Sequence, residues 1–161
     1  MRQELLAMSA QIINGLPLPP LFLECIRDGR WRHPGDKQLQ RIIPFFHGPV
    51  DFLSDLESMR QESSGKLADI PQMAEFFYES RGSASDTPVL LPWLDADQAV
   101  FIAANRISGD DIGIAPPPRS SRSDPRVVAN DWHTRPNGCL WREVAPTFSA
   151  FLGMLSAIGV A

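Results

Sequence analysis

The spacing of apolar residues changes once along this chain, near Val89, and that change limits the folds open to it. Upstream, apolar side chains recur every three or four positions. Such spacing puts them on one stripe of a helix. Leu5, Leu6, Met8, Ile12 and Ile13 predict a helix over residues 3–14, with Gly15 at its C-cap. A second helix is expected to start near Pro20, whose fixed φ suits a first turn, and to stop at Gly29. Phe52, Leu53, Leu56 and Met59 predict a third, and PQMAEFFYESRG a fourth that closes on glycine.

Downstream the runs are short and rich in β-branched and aromatic residues. AVFIAAN (Ala99–Asn105), DIGIA, RVVANDW (Arg126–Trp132) and a short GCLW piece are of strand length. The chain then returns to helical spacing at Phe148, Phe151, Leu152 and Leu155, with Thr147 placed to cap. Helices first, then an antiparallel β-meander, then a C-terminal helix packed on the sheet describe an α+β domain. One domain over residues 1–161 fits the length.

Charge narrows the partners. The formal net charge is −4, and binding a phosphate backbone needs a basic field, so nucleic acid is not expected as a direct partner. Residues 51–87 hold eight acids and three bases, whereas residues 1–50 hold six bases and four acids. An acidic middle segment can steer a basic partner, although solvated helix faces account for the same bias. No apolar run approaches membrane-spanning length and the first residues lack the apolar core of a signal peptide. A cytoplasmic protein is expected. Cys25, among Leu21, Phe22 and Ile26, reads as a buried thiol, and nothing calls for a bridge to Cys139.

Motifs that carry chemistry are few. His33, His47 and His133 lack ligand spacing, and no P-loop, nucleophile elbow, HExxH or GxGxxG occurs. No metal and no cofactor are expected. Asp95 and Asp97 read as a turn or cap. Asp110 and Asp111 stand in SGDDIGIAPPPR, Ser108–Arg119. An acid pair can hydrolyse a bond if another carboxyl faces it, which here means Asp131 or Asp124 brought close by folding. A Gly-Asp sequence between two strand-like runs is equally the chemistry of a hairpin corner, and that reading is preferred. Trp93 and Trp141 have core-like neighbours. Trp31, flanked by Arg27, Arg30, Arg32 and His33, has the composition of an interface anchor or of a half-buried loop residue.

Taken in order, LPWLDADQAVFIAANRISGDDIGIA, DPRVVANDW and WREVAPTFSAFLGML resemble the SUKH superfamily, the group typified by the yeast regulator of cell-wall glucan synthesis. The resemblance covers about residues 88–155; the early LP and the Gly29–Trp31 turn echo the family's opening more loosely. Pro116, Pro117 and Pro118 depart from the pattern, since prolines donate nothing to a strand ladder. The resemblance implies a non-enzymatic protein-binding module. Bacterial members are similar to immunity proteins that neutralise nuclease- or deaminase-type toxins, and eukaryotic members to regulatory scaffolds. Trp31, Asp51, Asp55, Asp110, Asp111, Asp131 and Trp132 are then the candidate contacts for a basic toxin domain. A scaffold with a non-toxin partner is the alternative, and a hydrolase using Asp110, Asp111 and Asp131 with a divalent ion is the third reading.

Overall fold

The computed structural model describes residues 11–64, 71–82, 89–105, 110–115, 123–132 and 140–158. A hairpin of β1 (Ile12–Ile13) and β2 (Leu16–Pro17) leads into α1 (Pro20–Arg27) and α2 (Asp36–Ile42). β3 (Asp51–Phe52), α3 (Leu56–Glu62) and α4 (Pro71–Arg81) follow. A 3-10 turn at Ala96–Gln98 opens the strand-rich half, which holds β4 (Val100–Ala104), β5 (Ile112–Ala115), β6 (Arg126–Asn130) and β7 (Trp141–Ala145). α5 (Phe148–Ile158) closes it. The fold is α+β, as the spacing predicts. β3 to β7 form one five-stranded sheet in chain order, every neighbour antiparallel, and α5 packs on it.

The strands read as unbroken apolar runs because both faces of the sheet are covered. On one face Val100, Ile102, Ile112, Ile114, Val127 and Ala129 pack with Phe22, Leu39, Phe148 and Phe151 from the helices. On the other, Phe101, Ala115, Val128 and Trp141 pack with Phe77 of α4 and with Leu94. Each fully buried ring contributes about 2–3 kcal/mol of transfer free energy.

Two expected helices change shape. The first was expected to run to residue 14; its residues 3–10 lie outside the described residues, and Ile12–Ile13 belong to a hairpin. Asn14 and Gly15 both take positive φ (52° and 72°), the requirement of a two-residue hairpin turn. The Asn14 side chain then donates to the Ser63 and Ala99 carbonyls at 2.8 and 2.9 Å, tying the hairpin to the sheet edge. The third starts later than its apolar stripe suggests. Asp55 is extended at φ −131° and its carboxylate accepts from the Ser58 N–H at 2.7 Å, so the helix begins at Leu56. Phe52 instead pairs with Ala103, and the Leu53 N–H donates to the Ile102 carbonyl at 2.9 Å.

The boundaries of the other expected helices fall where predicted, whereas the strand expected in GCLW begins at its tryptophan, Trp141, and runs on to Ala145. Pro20 is the first residue of α1, and Gly29 follows its C-terminus at φ 76°. Thr147 Oγ1 accepts from the Ala150 N–H at 3.1 Å at the start of α5. α4 ends on Gly82 (φ 128°), where any Cβ would collide with the Leu94 carbonyl oxygen. Among the described residues no helix is long and apolar enough to cross a membrane.

Candidate functional site

The three candidate carboxylates meet at one end of the sheet, on different faces. Extending the β5–β6 register beyond Ile112↔Ala129 sets Asp111 against Asn130 and Asp110 against Asp131. The Asn130 N–H donates to the Asp111 carbonyl at 2.9 Å. Alternation along a strand then sends Asp110 and Asp131 to the face with α1 and α5, and Asp111 to the face with α4. Adjacent acids in sequence do not converge here. Asp110, Asp111 and Asp131 are all fully buried, with 0% exposure.

Each has a structural employment. Asp110 Oδ2 accepts from the backbone N–H groups of His47 and Gly48 at 3.1 and 2.8 Å, pinning the loop after α2 to the start of β5. Asp131 Oδ2 accepts from Arg142 Nε at 2.7 Å, and that guanidinium also lies 5.6 Å from the Phe45 ring centroid. Asp111 Oδ2 lies 3.1 Å from Arg81 Nε, an ion pair lacking the alignment of a hydrogen bond. The Arg81 guanidinium sits over the Phe77 and Phe101 rings at 5.2 and 5.8 Å. Burial pushes the Asp111 carboxyl up to about 6, outweighing the Arg81 charge and the Asn105 N–H, which favour the ionised form.

Around that pair the last turn of α4 is fastened to the sheet. A helix leaves its final carbonyls without internal partners. Here Asn130 Nδ2 donates to the Ser80 carbonyl at 2.9 Å and Trp141 Nε1 to the Arg81 carbonyl at 2.6 Å. The hairpin corner expected at Ser108–Asp111 falls between β4, which ends at Ala104, and its antiparallel neighbour β5, which starts at Ile112. Ser108 and Gly109 lie outside the described residues, as do Pro116, Pro117 and Pro118, His133 and Cys139. Among the described residues no three His, Cys, Asp or Glu side chains gather at metal-binding distances.

The other candidates scatter. Trp31 is core: it is 4% exposed, stacks on Phe52 at 4.4 Å, meets Phe22 edge-on, and donates through Nε1 to the Leu53 carbonyl at 2.8 Å. Its arginine neighbours in sequence are exposed, while aromatic rings from three elements close round it. Asp51 and Asp55 are exposed, Asp51 on the edge strand and Asp55 as the α3 cap. The Ser58 N–H holds the Asp55 carboxyl below the usual carboxylate range. Trp132 is half-buried. Asp95 caps the 3-10 turn through the Asp97 N–H at 3.0 Å, as its spacing suggests. Trp141 is core and stacks on Phe101, whereas Trp93, also expected inside, is 55% exposed.

One surface went unread in the sequence. Met73 and Phe76, three apart on α4, are 47% and 59% exposed, and Glu75 and Glu79 are exposed on the same helix. The signal was the doublet Phe76-Phe77. Consecutive helical residues diverge by about 100°, so one ring of the pair must leave the core when the other fills it. Phe77 fills it.

No protein-family model matches the chain, no curated protein matches it, and no solved structure matches it.

Proposed function

We propose that this protein is a non-enzymatic, cytoplasmic protein-binding module of SUKH type, an immunity protein that occludes a basic toxin domain. The observation that carries the reading is the exposed strip on α4: Met73 and Phe76 stand open beside Glu75 and Glu79. Exposed aromatic anchors ringed by charge are the composition of binding hot spots. The net charge of −4 favours fast association with a cationic partner. Helices followed by an antiparallel meander and a closing helix also agree with the fold that the SUKH resemblance implies.

The contact set shifts accordingly. Asp51 and Asp55 keep their candidacy, while Asp110, Asp111, Asp131 and Trp31 are buried away from any partner in this conformation. The same burial weighs against hydrolysis by those carboxylates, since a catalytic acid or base must reach its substrate. The test is to read the neighbouring gene, where a chain ending in a basic nuclease- or deaminase-like domain is expected, and to titrate that domain calorimetrically. Tight binding that weakens about 30-fold or more in Phe76→Ala supports the proposal, that being the scale of a hot-spot truncation. Absence of a complex, together with failure to protect cells that express the toxin, refutes the immunity reading.

A further inference from the structure

Remote from α4, a groove of about 450 Å³ opens between the 30–34 loop, the end of α1 and the last turns of α5. That volume is in the range of small-molecule sites. Arg30, Arg32 and His33 form its polar side, Leu152 and Leu155 its apolar side, and Cys25 lies against it. Among the described residues no carboxylate lines it, although acids outnumber bases in the chain as a whole.

The charged side chains of the polar side are donors, and Ser156, which also lines the groove, gives its hydroxyl proton to the Leu152 carbonyl at 2.9 Å. Arg30 spends Nε on Asp28 Oδ2 at 2.7 Å, and its terminal amines have no other partner among the described residues. Arg32 is exposed and makes no ion pair among the described residues. His33 Nδ1 accepts from the Gly35 N–H at 2.9 Å, which leaves the ring proton on Nε2. That nitrogen is buried and hydrogen-bonds to nothing; Asp36 Oδ1 stands 3.5 Å away. The open fork of Arg32 and the terminal amines left on Arg30 together match a doubly charged tetrahedral oxyanion better than a single carboxylate. Opposite them, Leu152 and Leu155 fit an apolar substituent. Burial pushes the Cys25 thiol up, so it acts there as a neutral, soft surface.

We infer that this groove is a binding site for a small organic phosphate monoester, its phosphate held by Arg30 and Arg32 and its apolar body laid on Leu152 and Leu155. The site is separate from the α4 surface, and its occupancy does not depend on the toxin-binding reading.

Calorimetry with phenyl phosphate, inorganic phosphate and benzoate as separate probes tests it on the full chain. Phenyl phosphate is expected to bind saturably, with inorganic phosphate and benzoate each about tenfold weaker or worse. Arg32→Gln and Arg30→Gln are each expected to weaken phenyl phosphate about tenfold, the scale of losing one charged hydrogen bond, with an unchanged melting temperature. Equal binding of phenyl phosphate and inorganic phosphate overturns the apolar half of the site. Equal binding of benzoate overturns the phosphate assignment. Unaltered affinity in both arginine variants, or no binding at all, overturns the site itself.

Discussion

Replacing Asp111 with asparagine alters how stability depends on pH, by an amount set by burial. The Asp111 carboxyl is 0% exposed and is raised from 3.8 to about 6 in the folded protein. A raised folded value means that the folded state holds this proton more tightly than the unfolded chain does. Stability therefore falls as pH rises from about 4 through 6, opposite to the usual behaviour of a salt-bridged carboxylate. A shift of about two units corresponds to about 3 kcal/mol between fully protonated and fully ionised limits. Asp111→Asn is neutral throughout and lacks this contribution, while every other titrating group is shared. The difference in unfolding free energy, variant minus wild type, should rise by about 2–3 kcal/mol between pH 4 and pH 7. Urea unfolding at each pH, followed by the fluorescence of buried Trp31 and Trp141, reads it directly. A difference that stays constant across the range would refute the reasoning. It would mean that Arg81 compensates the buried charge fully and that desolvation does not dominate.

Two further substitutions probe the struts of the fold. Asp110→Ala removes the acceptor for the His47 and Gly48 N–H groups and should cost about 2–4 kcal/mol in denaturant unfolding, whereas Asp110→Asn, which keeps an acceptor oxygen, should cost less. Gly82→Ala forces a Cβ against the Leu94 carbonyl at φ 128°, and the melting temperature should drop by several degrees, the equivalent of about 1–3 kcal/mol. Hydrogen exchange should place the resulting loosening at the C-terminal turn of α4.

Strands β4 to β6 were legible because burial on both faces leaves continuous apolar runs, and α5 because its spacing returns to three and four. The hairpin at Asn14–Gly15 was not, since the adjacent pairs Leu5-Leu6 and Ile12-Ile13 satisfy a helical stripe as readily as a turn flanked by two short strands. Trp31 misled for a related reason: arginines surround it along the chain, but Phe22, Phe52 and Phe148 surround it in space. The carboxylates show the limit most plainly. Alternation alone separates Asp110 from Asp111, yet the groups that claim Asp110 lie 62 and 63 residues away, and no local pattern in SGDDIG points to them. The exposed ring of Phe76 was foreseeable from the Phe76-Phe77 doublet, though only packing decides which of the two goes inside.

The proposed binding function places the partner contact on the open face of α4 rather than on the buried acids. Calorimetric titration of the proposed toxin partner with wild type, Phe76→Ala and Asp111→Asn tests that most directly. Affinity should fall about 30-fold or more in Phe76→Ala and stay within about twofold of wild type in Asp111→Asn, provided both variants are folded at the pH used. The reverse pattern, with Phe76→Ala unaffected and Asp111→Asn silenced, would contradict the account.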